Sequence, residues 1–169
     1  MLASDQRQAL HKSILLRVLI NILDDNSLSQ SLVFKGGTCA SMLSYLDRFS
    51  VDLDFDLIKQ DLQASVRASL EMIFDRLNLK IKDQSHNTVQ YYLKYEAPAR
   101  SRNTLKIDIV DTPLASDQHE KVLLPDINRL ALCQTKETMF AHKLVALQNR
   151  FQKKSKHCWQ RSLRHSSLS

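Results

Sequence analysis

The sequence predicts an α+β domain, a mixed β-sheet flanked by helices. Three observations predict it. Residues 4–24 and 59–78 repeat apolar side chains at helical spacing. Short runs rich in β-branched and aromatic residues lie between and after them. The resulting order, αβαβαβββα, mixes neighbouring strands with strands separated by helices.

Each element has its own signal. In residues 4–24, Leu10, Ile14, Val18, Leu19 and Ile22 form one stripe, and Asp24-Asp25-Asn26-Ser27 is a natural stop. Ser31 to Phe34 reads as a strand ending in Lys35-Gly36-Gly37-Thr38, followed by a helix over about 38–47. Phe49 to Leu57 alternates apolar and acidic residues and reads as a strand. In residues 59–78, Leu62, Val66, Leu70, Ile73 and Leu77 share a side. Residues 79–82, 88–96 and 103–111 read as strands, the last two pairing as a hairpin around Pro98 and Arg100. Pro113 and Pro125 bracket a loop, and a strong helix runs over about 134–150.

Composition bounds the function. At 169 residues, with 43% hydrophobic and 25% charged residues, the chain suits one folded domain rather than a disordered one. The excess charge of +6 is uneven. Residues 151–169 hold five Lys/Arg and no acid, leaving 19 basic against 18 acidic groups in residues 1–150. Net charge therefore says little about partners of the folded part. Cys39, Cys133 and Cys158 are odd in number and far apart, which argues against a disulfide framework and suits a reducing cytoplasm. No apolar run approaches a membrane span, and no secretory signal pattern opens the chain. The two glycines, Gly36 and Gly37, are too few for a P-loop or dinucleotide fingerprint.

Three features carry chemistry. Gly36-Gly37-Thr38 sits where a strand passes into a helix. Glycines let backbone approach a ligand, a helix start favours anions, and Thr38 can cap the helix or donate to a phosphate. On a strand, Asp52 and Asp54 point to one face while Leu53 and Phe55 point into the core. Two such carboxylates repel each other, and a divalent cation with hard-ligand preference, Mg²⁺ or Mn²⁺, relieves that. Asp108 lies opposite in facing to Leu105, Ile107 and Ile109 on a later strand. If the two strands are neighbours, it completes a three-carboxylate cluster suited to phosphoryl chemistry. Each feature also has a plainer role, as a tight turn, a solvated strand face and a polar residue on a half-exposed strand.

Together, Gly-Gly-Thr, a helical spacer, Asp-x-Asp and a later strand aspartate resemble the nucleotidyltransferase superfamily. The run from Phe34 to Phe55, with its Arg48-Phe49-Ser50-Val51-Asp52-Leu53-Asp54-Phe55, resembles the AbiEii/AbiGii-type toxin nucleotidyltransferases of type IV toxin–antitoxin and abortive-infection systems. The resemblance extends to Glu137–Arg150 and covers about residues 10–150. It implies a nucleotidyltransferase-type mixed sheet that moves a nucleotidyl group from a nucleoside triphosphate to an acceptor with Mg²⁺ or Mn²⁺. It implies that Asp52, Asp54 and Asp108 bind metal and act in catalysis. Gly36, Gly37, Thr38, Lys143 and Arg150 would bind the nucleotide, with Lys143 also catalytic. Arg48 is also matched, its plainer role being a salt bridge that orients the acidic strand, and Lys35 is either a phosphate contact or a solvated strand end. The acceptor it implies is RNA, especially a tRNA 3′ end, and the partner a cognate antitoxin in the cytoplasm.

The sequence departs from that family after Arg150. The family continues through a basic connector to Arg-Asp-x-x-Asp, whereas residues 151–169 contain no acid and no periodicity. The expected division is therefore a core over 1–150, with an incomplete C-terminal part, and a basic tail over 151–169 that is disordered or read out of frame. Two other classes fit parts of the pattern. A glycosyltransferase accounts for Asp-x-Asp but not for the glycines or Asp108. A truncated, inactive relic would act only by binding a partner.

The frame reading is testable. With suitable codons, residues 156–168 shifted by one base read Asn-Ile-Ala-Gly-Arg-Asp-Leu-Tyr-Asp, and the glycine is forced by the Trp159 codon followed by Gln160. Sequencing the coding DNA is expected to reveal Arg-Asp-Leu-Tyr-Asp in a shifted frame; codons that give it in neither frame end the idea.

Overall fold

The computed structural model describes residues 2–85, 87–99, 101–111 and 113–165. Two compact units divide at residue 135. The first is built on a seven-stranded mixed sheet. Its helices are α1 (Leu2–Asp24), α2 (Asn26–Ser31), α3 (Gly36–Met42) and α4 (Gln63–Arg76). Its strands are β1 (Leu32–Lys35), β2 (Asp52–Leu57), β3 (Lys80–Gln84), β4 (Val89–Lys94), β5 (Thr104–Val110), β6 (His119–Leu124) and β7 (Arg129–Gln134). They lie in the order β3-β4-β5-β2-β1-β7-β6. The second unit is α5 (Lys136–His165). No described helix is long and apolar enough to cross a membrane.

The α+β expectation holds, and most elements fall where periodicity puts them. Four differ. The Asp24-Asp25-Asn26-Ser27 stop is also a start: the Asp25 carboxylate accepts from the N–H groups of Ser27 and Leu28 and caps α2. The helix after the glycines begins at Gly36 and ends at Met42, so Thr38 lies inside it and is not its cap. The stretch between Pro113 and Pro125, read as a loop, contains β6, and β7 follows it as its antiparallel partner. The last helix continues through His165, past the point where sequence periodicity fades. The β4–β5 hairpin forms as expected, although Arg100 lies outside the described residues.

Alternation splits the sheet into two faces. Phe34, Leu53, Phe55, Leu57, Tyr91, Leu93, Leu105, Ile107 and Ile109 are buried to within 1% on one face. Leu15, Val18, Leu19 and Ile22 of α1 and Val66, Leu70, Ile73 and Phe74 of α4 complete this core. Phe74 meets Tyr91 edge-on at 5.1 Å, and Phe34 meets Phe55 at 5.2 Å. The buried thiols of Cys39 and Cys133 are free and hydrogen-bonded to each other. That bond, then burial, pushes the Cys39 thiol far up, so it packs as an inert apolar group.

One side chain ties this core to the acid strand. His11, 2% exposed, reaches Tyr95 Oη from Nδ1 at 2.6 Å and Val51 O from Nε2 at 2.8 Å. The first link joins α1 to the end of β4, and the second fixes the residue before Asp52.

Because Leu53 is fully buried in the core between the sheet and its helices, Leu53→Ala is expected to cost about 2–5 kcal/mol in denaturant unfolding. Lys80→Ala, on the exposed edge strand, should stay within about 0.5 kcal/mol of the parent.

Candidate active site

The other face of the sheet carries the acids. Parallel pairing of β2 with β5 sets Asp52 opposite Lys106 and Asp54 opposite Asp108. Antiparallel pairing with β1 sets Lys35 opposite Asp54 and Val33 opposite Asp56. Asp52, Asp54 and Asp108 therefore share one face, as their positions in the sequence predict if β2 and β5 are neighbours. Asp56 is on that face too, but 3% exposed. Its oxygens accept from Lys35 Nζ and, at 2.6 Å, from Gln134 Nε2. It borders a cavity shared with Leu114, Asp117 and His119. Asp56 is thus fully partnered and anchors Lys35.

The glycine turn meets these acids. Gly36 has φ +78°, and a Cβ there would lie 2.2 Å from Asp54 Oδ2. Only glycine combines that backbone with that approach. A Cβ on Gly37 would lie 2.8 Å from Ser50 Oγ and 3.7 Å from Arg48 Nη2, so the Arg-Phe-Ser segment packs beneath the turn. Arg48 also accepts from Ser41 Oγ through its carbonyl at 2.9 Å. Thr38, 4% exposed, donates its hydroxyl to Asp52 O at 2.5 Å. Its side chain is therefore a strut between α3 and the acid strand.

Electrostatics sets the character of the cluster. Burial, then Asp52 and Asp108, push the Asp54 carboxyl up to about 6. In the metal-free fold, ionising Asp54 is therefore unfavourable. The stability it leaves in acid is lost as pH rises from the ordinary carboxylate range through about 6. Two cations moderate the repulsion: Lys106 donates to Asp108 Oδ2 at 2.5 Å, and Arg102 Nη2 lies 3.4 Å from Asp52 Oδ1. Partial burial opposes the Lys106 ammonium, but the Asp108 hydrogen bond and charge hold its pKa above the usual lysine range. Among the described residues, no three His, Cys, Asp or Glu are gathered as a ready metal cage.

The structure brings together Gly36, Gly37, Thr38, Asp52, Asp54 and Asp108. Lys143 and Arg150 are exposed residues of α5, in the second unit. Arg102, Lys106 and Asp56 were not legible as site residues. Asp56, two residues beyond Asp54 in the alternating run, and Lys106, two before Asp108, do carry a spacing signal; Arg102 carries none.

Residues 17–165 match the family described as nucleotidyl transferase AbiEii toxin of type IV toxin–antitoxin systems. The chain belongs to the AbiEii toxin family. Its fold is similar to that of MenT4, a nucleotidyltransferase toxin from Mycobacterium tuberculosis (20% identity, TM-score 0.57, covering 82% of this chain and 52% of that one). It is also similar to JHP933 from Helicobacter pylori (22% identity, TM-score 0.53, covering 81% and 56%). The chain thus spans about half the length of these solved structures. Among curated proteins none matches. For an AbiEii member, the acids on the free sheet face and the glycine turn against Asp54 are the natural place to seek the chemistry.

Removing the charge of Asp54 should relieve the cluster. Asp54→Asn is expected to raise the melting temperature of the metal-free protein by about 2–4 °C and to abolish any rise on adding Mg²⁺ or Mn²⁺, read by thermal unfolding with and without the ion.

Proposed function

We propose that this chain is the core of a metal-dependent nucleotidyltransferase toxin that moves a nucleotidyl group from a nucleoside triphosphate to a hydroxyl of RNA, with a tRNA 3′ end as acceptor. The observation that carries the reading is the meeting of Gly36 with Asp54 on a face that also holds Asp52 and Asp108. A turn that lets backbone approach within reach of a carboxylate cluster can set a triphosphate beside its metal site.

The donor set fits a divalent cation. It is all oxygen, as Mg²⁺ and Mn²⁺ prefer, and the charges of Asp52 and Asp108 add to burial in raising Asp54. Asp52 and Asp54 would hold the ion, with Asp108 as a third carboxylate; the ion supplies charge neutralisation and Lewis acidity at the phosphates. The chain's own groups do the rest. Gly36 and Gly37 offer backbone to the triphosphate. Asp108 takes the proton from the acceptor hydroxyl as its oxygen bonds to the α-phosphorus, and the bond to pyrophosphate breaks. Lys106, beside the acids, would face the phosphate charge, while Lys35 is held by the buried Asp56. Lys143 and Arg150 are proposed as further phosphate contacts through the resemblance. An antitoxin partner and a cytoplasmic setting follow from the family as proposals of the same kind.

The test is incubation with labelled nucleoside triphosphates, Mg²⁺ and total tRNA. Transfer of label to RNA is expected, falling at least about a thousandfold in Asp52→Asn, Asp54→Asn and Asp108→Asn. Stable folding and partner binding without any transfer would instead identify a non-catalytic relic.

A further inference from the structure

The free face of the sheet has two unlike wings on either side of the acids. On the β3–β4–β5 side, register puts Lys80 opposite Lys94, and Lys94 opposite Thr104. One pleat further along, Tyr92 is opposite Lys106, and Lys106 is opposite Asp52. Opposed residues share a face, and strands lie about 4.8 Å apart, so Tyr92 stands roughly 10 Å from the acid strand. Lys80 and Lys94 are exposed, while Tyr92 and Lys106 are half-buried. Asp83, opposite Tyr92 beyond a bulge, is the only carboxylate that β3 or β4 contributes to this wing. Arg102, at the start of β5, adds a further cation beside Asp52.

The β7–β6 side is different. There Lys121 is opposite Leu132 and Leu123 is opposite Leu130, with Leu123 and Leu130 50% and 65% exposed. That wing mixes Lys121, His119 and Gln134 with three leucines, two of them exposed. The β3–β4–β5 wing, with Lys80, Lys94, Lys106 and Arg102, is the more basic approach to the acids for a polyanion.

The ring of Tyr92 narrows the class of polyanion. Bases that are paired in a duplex cannot present a face to a side chain, whereas those of a single strand can. We propose that the β3–β4–β5 wing is the track on which a single-stranded nucleic-acid acceptor lies, with Tyr92 stacked under a base, Lys80 and Lys94 on successive phosphates, and the terminal hydroxyl delivered past Lys106 to the acids. This rests on the nucleotidyltransferase reading for its direction, since the strand must end at Asp52, Asp54 and Asp108. The track itself rests on register and charge alone.

The test is fluorescence anisotropy with a labelled single-stranded RNA of roughly twelve nucleotides and mixed sequence. Tyr92→Ala is expected to weaken binding about tenfold, and Tyr92→Phe, which keeps the ring, to leave it unchanged. The double variant Lys80→Gln/Lys94→Gln should weaken it about tenfold or more and reduce the slope of log affinity against log salt by about 1.4. Lys121→Gln, on the other wing, should bind as the parent does. Melting temperatures close to the parent's establish that each variant is folded.

Unchanged binding in both Tyr92→Ala and the double lysine variant overturns the proposal, as does an equal loss in Lys121→Gln. Displacement of the RNA by poly-glutamate with undiminished affinity for it in Tyr92→Ala would assign the wing to an acidic protein and also overturn it. The two readings separate cleanly. Nucleotidyl transfer that proceeds with an unaltered KM for RNA in Tyr92→Ala removes the track and leaves the reaction. RNA binding that maps to this wing without any transfer keeps the track and removes the reaction.

Discussion

The mutual repulsion of three carboxylates on one sheet face is the constraint around which this molecule is arranged. Burial and the charges of Asp52 and Asp108 together push Asp54 up to about 6, so the fold carries an electrostatic strain that its core must offset. The core does so with its opposite face. Leu53 and Phe55, interleaved with the acids, are essentially fully buried, and each removes apolar surface from water for an energy on the order of 2 kcal/mol. One strand thus holds the source of strain and part of its compensation, separated by the two-residue period of the pleat.

Cations complete the balance, and they differ in kind. Lys35 is locked to the buried Asp56, which also accepts from Gln134. A buried carboxylate with two donors is a fixed feature of the sheet. Lys106 and Arg102 are more exposed and bind Asp108 and Asp52 from the side of the free face. Their side chains are more solvated than that of Lys35. The cluster therefore has a buried wall at Asp56 and more exposed ion pairs at Asp52 and Asp108. Thr38 stiffens the same wall, because its hydroxyl is committed to Asp52 O and couples the glycine helix to the acid strand.

Much of this arrangement was legible in the sequence, and the exceptions have physical reasons. Alternation of Asp52, Leu53, Asp54 and Phe55 reports both faces of a strand at once, so the facing of the acids followed directly. The pairing of β2 with β5 is non-local: 46 residues of chain lie between Leu57 and Thr104, and no local pattern states that these strands touch. Lys106 and Arg102 could not be assigned to carboxylates for that reason. The β6–β7 hairpin was missed although Pro125-Asp126-Ile127-Asn128 is a turn signature, with Asn128 at φ +50°. β6 is mostly exposed and carries Glu120 and Lys121, while β7 exposes Leu130 and buries Ala131, Cys133 and Gln134, so hydropathy does not report the facing of either. The short helix α2 has no periodicity to read; it exists because Asp25 caps it and Leu28 is fully buried.

The hydrogen inventory around His11 adds a last link between core and site. Burial first, and then Arg102, lower the pKa of His11 against the opposing pull of Val51 and Asp52, so the ring is neutral and carries one proton. Val51 O can only accept, which places that proton on Nε2. Nδ1 must then accept from the Tyr95 hydroxyl. That hydroxyl also lies 2.9 Å from Arg102 O, and its single hydrogen cannot serve both acceptors fully. The Arg102 segment is therefore held more loosely than Val51 by the same ring. His11 thus fixes the residue before Asp52 directly and, through the shared Tyr95 hydroxyl, touches the backbone of the arginine that pairs with Asp52.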